Sequence, residues 1–192
     1  ILYELERLGL ADNTLVIWTT DHGDAVASHG GHFDKNAYLT EEVLRVPMAM
    51  CWPGHIPAGQ VTEALVSNMD TASTVLEATG TCFARPSDDR SLLDAAIPGN
   101  GSNPWRDYLV VETHGHHGEK VVGRVVITDK YKYAVYKYND RPGNMHELYD
   151  IESDPYELNN LVDESAFASV VKTLKSYLDN WRVTTNDLKP LE

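Results

Sequence analysis

Asp21 and His22 stand side by side at the end of the apolar run Thr14-Leu15-Val16-Ile17-Trp18-Thr19-Thr20, with Asp24, His29, His32, Asp34 and Lys35 close behind. A carboxylate oxygen and an imidazole nitrogen can share one divalent ion, the carboxylate favouring harder metals and the imidazole tolerating transition metals. The Lys35 ammonium is a compact positive charge suited to an anionic group. Gly23 lets the backbone turn sharply beside a bound group. The same residues also read as a polar turn whose Asp and His side chains cap and solvate, and spacing alone does not separate the two readings. A second cluster, Glu112-Thr113-His114-Gly115-His116-His117-Gly118, completes a concentration of six of the eight histidines in two places. Either His114 or His116 reaches a substrate pocket there, or the segment is a Gly-rich hairpin loop with solvated histidines.

These residues need elements to hold them. The run 14–20 is continuous rather than alternating in hydrophobicity, which predicts a strand buried on both faces of a parallel sheet. Asp21-His22 then sits at its carboxyl end, where open α/β sheets place their ligands. Val46 to Trp52 is a second strand, closed by Pro53-Gly54. A helix is predicted over about 70–79, with Asp70 as N-cap and Gly80 as its stop. A Pro- and Gly-bearing connection over 84–105 holds a short helix near Leu92–Ala96. Strand-like runs follow at 108–112, 121–128 and 130–138, with a tight hairpin at Thr128-Asp129-Lys130 and a short strand at 146–150. The segment 164–181 is an amphipathic helix with Val170, Val171, Leu174, Tyr177, Leu178 and Trp181 on one face. The fold class is therefore mixed α/β. The end of an α/β domain (1–104) is followed by a subdomain with a small antiparallel sheet and a packed helix (105–192).

Composition narrows the function. The net charge of −13 over 192 residues disfavours nucleic acid, whose phosphates need clustered Lys and Arg. No apolar run approaches the ~18 residues of a membrane-spanning helix. Two cysteines, Cys51 and Cys82, make no disulfide framework and leave the compartment open. Ile1, Leu2, Leu5 and Leu8 fall at helical spacing before Gly9. They read as the tail of a helix whose start is missing, so the chain is expected to be a piece of a longer protein.

The ordered motifs resemble the carboxyl-terminal half of a sulfatase of the alkaline phosphatase superfamily. They run from Asp12-Asn13-Thr14-Leu15-Val16-Ile17 through Thr20-Asp21-His22-Gly23-Asp24, His29-Gly30, Lys35 and Arg45-Val46-Pro47-Met48 to Trp52-Pro53-Gly54 and Ile56-Pro57-Ala58-Gly59. They resume at Gly123-Arg124, Thr128-Asp129-Lys130-Tyr131-Lys132-Tyr133, Glu147-Leu148-Tyr149-Asp150, Asp154-Pro155-Tyr156-Glu157 and Asn159-Asn160-Leu161. In pattern the chain is similar to iduronate-sulfatase-like members with Asp-His at the metal site.

The resemblance implies a fold and a division of labour. Residues 1–104 would be the carboxyl-terminal part of the catalytic domain. Asp21 matches the third carboxylate ligand of a divalent metal, usually Ca2+, with Mn2+ or Zn2+ as alternatives. His22 falls where many members carry Asn and some carry His as the next ligand. Lys35 matches the lysine that contacts the sulfate group. The stretch from Gly30 to Lys35 is about one residue longer than in iduronate-sulfatase-like members, so His29 and His32 both stand as substrate-facing candidates. The implied substrate is a sulfate ester of a small molecule or saccharide. The nucleophile, a formylglycine made in Cys/Ser-x-Pro-x-Arg, is expected upstream of Ile1 together with two further Asp ligands. Cys51-Trp52-Pro53-Gly54-His55 has His where that motif requires Arg, so Cys51 reads as a small buried hydrophobe. The isolated 192 residues are thus expected to be inactive. Phosphonate monoester hydrolases and phosphodiesterases share the scaffold and remain the alternative activity.

Overall fold

The computed structural model describes all residues except 36, 101–104, 115–120, 139, 141, 188–190 and 192. In chain order the elements are α1 (Leu2–Arg7), β1 (Val16–Trp18), α2 (Ser28–Gly31), α3 (Glu41–Leu44), β2 (Ala49–Cys51), α4 (Asp70–Ala78), α5 (Leu92–Ala96), β3 (Leu109–His114), β4 (Val121–Ile127), β5 (Tyr131–Tyr138), β6 (Asn144–Asp150) and α6 (Ala168–Thr184). The class is mixed α/β. Two compact units divide the chain: Ile1–Asp21 with Pro47–Arg106, and His22–Val46 with Asp107–Glu192. Among the described residues no helix is long and apolar enough to cross a membrane.

In the first unit the apolar spacing of residues 1–8 forms α1, and Gly9 stops it at φ +67°. The parallel, doubly buried strand is not what forms. β1 pairs antiparallel with β2, Val16 opposite Cys51 and Trp18 opposite Ala49. Trp18 stays 61% exposed. Continuous hydrophobicity marks a buried strand only where neighbours cover both faces, and β2 is the one strand hydrogen-bonded to β1 among the described residues. Asp70 is not the predicted N-cap: Met69 holds that position without a side-chain cap bond, and Asp70 is the first residue of α4. Its fully buried carboxylate accepts hydrogen bonds from the backbone N–H groups of Ser67 and Arg90 and a bidentate pair from Arg106 at 2.6 and 2.7 Å. Thr74 adds to the joint, donating to the Asp70 carbonyl and accepting from the Leu92 N–H at the start of α5. A buried charge is tolerated when each of its oxygens is satisfied in this way.

In the second unit β3–β4–β5–β6 form an antiparallel meander. Thr128 closes the β4–β5 hairpin, its N–H donating to the Tyr131 carbonyl at 2.9 Å. Side chains alternate across a strand, and β5 uses both faces. Tyr133 and Val135 pack with Val126, Leu148, and Leu174 and Leu178 of α6. Ala134 and Tyr136 point the other way, onto Ala37, Leu39, Val121 and Val125. The sequence patterning anticipated the helix side; the cover supplied by residues 37–44 is additional.

On the helix side, the Tyr133 hydroxyl and His146 Nδ1 lie 2.9 Å apart. Burial, and then the Lys175 charge, hold the His146 imidazole below its usual value of 6.5. The unfolded chain therefore takes up a proton before the folded one does as pH falls. Stability present above pH 6.5 is lost below it. Urea titrations at about pH 7.5 and about pH 5.5 should show a larger drop in unfolding free energy for the wild type than for His146→Gln. Equal drops would remove His146 as the source.

Candidate functional site

The segment from His22 to Leu39 is built to hold its side chains in fixed places. Gly23 lies so close to α3 that a Cβ there would run into the Glu42 carbonyl, and its N–H donates to the Val43 carbonyl at 2.8 Å. Only glycine fits. Val26, Ala27, His29 and Asp34 all adopt positive φ, from +43° to +70°. Such conformations cost about 1–3 kcal/mol each and persist where surrounding structure enforces them, a pattern concentrated at functional sites. Part of the enforcement is visible. Asp24 Oδ1 accepts from the Val26 N–H at 3.0 Å, the Ala27 N–H donates to the His32 carbonyl at 2.7 Å, and Asp34 Oδ1 accepts from the Lys35 N–H at 2.7 Å.

This framework brings His22 and Lys35 together, with Lys35 Nζ 2.9 Å from His22 Nε2. The other ring nitrogen, Nδ1, is 2.7 Å from the Gly23 carbonyl oxygen. A carbonyl only accepts, so Nδ1 carries the hydrogen and Nε2 presents its lone pair. An imidazole oriented through Nδ1–H by a backbone carbonyl, with Nε2 aimed at positive charge, has the arrangement of a metal-ligating histidine. The donor chemistry of His22 therefore fits a divalent ion, which would take the Nε2 lone pair that the Lys35 ammonium occupies here.

Asp21 belongs to the first unit and is exposed. Asn68 fixes the backbone there, donating from Nδ2 to the carbonyls of Thr20 and Asp21 at 2.9 and 3.1 Å. The Thr20 hydroxyl lies 3.3 Å from Asp21 Oδ1.

His29 and His32 have different surroundings. His29 Nε2 is 3.2 Å from both carboxylate oxygens of Glu42. The His32 ring stacks flat on Tyr38 at 3.9 Å. His29, Glu42 and Glu157 place ligand atoms within 4.8 Å of one another, a donor set that the sequence reading did not single out. Its surroundings already contain a cation. Lys132 Nζ, itself buried, is 2.7 Å from Glu157 Oε1 and 3.2 Å from Glu41 Oε1. The other Glu157 oxygen accepts from the Glu41 N–H at 2.8 Å. Burial pushes the Glu157 carboxyl up against the pull of Lys132. Burial also raises Glu147, aided by the Glu157 charge. At Glu42 desolvation works upward, but its own backbone N–H and the His29 charge outweigh it and hold the carboxyl low. Lys132 shares its face of β5 with Ala134 and Tyr136, and only the unanticipated cover over that face makes it interior, where a buried lysine needs a carboxylate.

Of the second histidine cluster, His114 is at the end of β3, 3.4 Å from Glu112. Glu112 also approaches the buried Arg124, which Asp187 holds in a bidentate pair at 2.9 and 3.0 Å. His116 lies outside the described residues. Cys51 is half-buried in β2 and Cys82 exposed, both as free thiols. A cavity of about 890 Å³ in the first unit is lined by apolar residues including Met48, Met50, Trp52, Val66 and Leu92, and by no candidate site residue.

Comparison with known proteins gives the family and the fold. Residues 28–184 match the family model described as N-sulphoglucosamine sulphohydrolase, C-terminal. The chain is 31% identical over 197 residues to an N-acetylglucosamine-6-O-sulfatase of Bacteroides thetaiotaomicron, covering all of this chain and 34% of that protein. A solved structure described as a complex with its substrate D-glucosamine-2-N,6-O-disulfate matches with a TM-score of 0.83 and 29% identity, over all of this chain and 38% of that one. The phosphonate monoester hydrolase of Agrobacterium radiobacter shares the fold, with a TM-score of 0.80 at 23% identity over 95% of this chain and 37% of that one. The chain thus spans about a third of the length of the curated relatives it matches. On the family match, which takes in most of its residues, the chain belongs to the N-sulphoglucosamine sulphohydrolase C-terminal family of sulfatases.

Proposed function

We propose that the chain is the carboxyl-terminal part of a sulfuric ester hydrolase acting on sulfated saccharides. Residues 1–104 belong to its catalytic domain and residues 105–192 to a subdomain against which residues 37–44 pack. The observation that carries the reading is the 2.9 Å approach of Lys35 Nζ to His22 Nε2. It joins a candidate ligand and a candidate anion-binding amine thirteen residues apart. The relatives' names, an N-acetylglucosamine-6-O-sulfatase and a structure holding D-glucosamine-2-N,6-O-disulfate, support a sulfated amino sugar as substrate.

Asp21 and His22 would hold the divalent metal, Ca2+ in this reading, with Mn2+ or Zn2+ accommodated by the imidazole. Bound there, the ion supplies Lewis-acid stabilisation of charge on sulfuryl oxygens. Lys35 binds a sulfate oxygen and stabilises negative charge as the ester oxygen leaves. His29 or His32 donates the proton that the leaving oxygen needs. His114 or His116 would hydrogen-bond the saccharide. A formylglycine contributed from outside these residues is the nucleophile.

The test is a substrate panel on the full-length protein that carries this chain: glucosamine 6-sulfate, an aryl sulfate and a phosphodiester, each with Ca2+ and with Mn2+. The expected result is turnover of sulfate esters with the sulfated sugar preferred. A preference for the phosphodiester would transfer the assignment to the phosphonate hydrolase-like activity, and absence of any turnover would reject both.

A further inference from the structure

A continuous path of contacts joins the buried lysine of β5 to the histidine that faces Lys35. Lys132 is 1% exposed and Glu157 3% exposed. They pair at 2.7 Å. Glu157 also accepts the backbone N–H of Glu41, the first residue of α3, while Lys132 reaches the Glu41 side chain. At the other end of this four-residue helix, the Val43 carbonyl accepts from the Gly23 N–H. Gly23, the residue after His22, lies so close to the Glu42 backbone that no side chain fits between them. Glu157 holds this place at φ +54°, an unfavourable backbone for a non-glycine residue. Beside the path, the Tyr136 hydroxyl accepts from the Leu39 N–H at 3.1 Å.

The geometry points to Lys132 and Glu157 as positioning residues that set the location of His22, acting through Glu41 and α3. A buried ion pair is a weak source of net stability, and apolar residues of similar volume often replace it without loss. What such a pair does well is fix one geometry, because both charges lose their compensation if the parts slide. Here the parts are a strand of the sheet and the segment that carries His22 and Lys35. The pair thus transmits the rigidity of a hydrogen-bonded sheet to a strained loop. This inference rests on the sulfate-ester reading for its kinetic consequence but not for its structural one.

The experiment uses the full-length protein with Lys132→Met combined with Glu157→Leu. Three readouts are taken: Tm, amide exchange at Gly23, and kcat and KM for glucosamine 6-sulfate. The expected result is a Tm close to wild type, Gly23 exchange faster by about tenfold or more while the amides of β4 and β5 keep their protection, and a loss carried by kcat rather than KM. Glu157→Gln keeps an oxygen for the Glu41 N–H and should return Gly23 exchange to within about twofold of wild type. If the double variant does not fold, Glu41→Pro takes its place. Proline is accepted at the first position of a helix, the preceding Thr40 is already extended at φ −79° and ψ 158°, and both buried charges stay in place while the tether is removed. Unchanged Gly23 exchange in whichever variant folds overturns the inference. A wild type without sulfatase activity would overturn the functional reading alone, since the exchange at Gly23 still decides this one.

Discussion

Replacing Lys35 by alanine is expected to lower kcat for a sulfate ester by about a hundredfold to a thousandfold, the effect of removing one pre-placed donor at a developing oxyanion, roughly 2.7–4 kcal/mol. The ammonium is in place before substrate arrives. Its backbone N–H is tied to the Asp34 carboxylate and its Nζ rests against His22. With the metal on His22 Nε2 the ammonium has only to turn from that nitrogen to the sulfate, and its role grows as charge develops, so the loss falls mainly on kcat. KM rises less, because sulfate in the ground state already carries spread-out charge. The side chain is only half-buried, and its removal leaves the fold intact. Methylammonium added to Lys35→Ala should restore part of the rate, since the space vacated accepts a small cation. Lys35→Arg keeps the charge but spreads it over a planar fork and should recover less than the added amine. Wild-type kinetics in Lys35→Ala would remove the amine from the chemistry.

The second large effect concerns Asp21. Asp21→Ala should abolish stoichiometric divalent metal in the purified full-length protein and lower kcat/KM by about a thousandfold. Lewis-acid assistance is worth several kcal/mol, and each ~1.4 kcal/mol is tenfold in rate. Elemental analysis gives the metal content directly, so the readout does not depend on knowing the substrate. Chelation of the wild type followed by Ca2+ return should lose and regain the same activity, while Asp21→Ala should not respond. Metal retained at one equivalent in Asp21→Ala would move the ligand role elsewhere, with His29, Glu42 and Glu157 as the next donor set to vary.

How much of this could be read in the sequence depends on the range of the interactions. Local signals carried through. The Leu2, Leu5, Leu8 spacing with Gly9 gives α1, the Thr128-Asp129-Lys130 turn gives the β4–β5 hairpin, and the expected short helix forms at Leu92–Ala96. His22 and Lys35 were singled out by residue type, and the loop between them folds back to bring them together. Long-range features were not legible. Nothing near Val16 states which strand will lie beside it, so hydrophobicity pointed to a parallel neighbour where the structure has an antiparallel one. Glu42 and Glu157 are ordinary surface-type residues until His29 and Lys132 arrive from 13 and 25 positions away. The positive φ of His29, Asp34 and Glu157 left no trace either, because those conformations are imposed by tertiary packing rather than by the residues' own preferences.

The interleaving of the second unit, residues 22–46 with residues 107–192, has a consequence for biosynthesis. The meander pairs only consecutive strands, so its loops close cheaply and it can form soon after it leaves the ribosome. Its companion segment is made much earlier. Glu41 precedes its acceptor Glu157 by 116 positions, which at translation speeds of about 5–20 residues per second is a wait of roughly 6–23 s. For the part of that interval before β4 and β5 are made, Leu39 lacks Val121, Val125, Ala134 and Tyr136 to cover it. The nascent chain therefore passes through a period of sticky, chaperone-accessible surface that persists until β5 has been synthesised, and the Glu41 tether closes only after that.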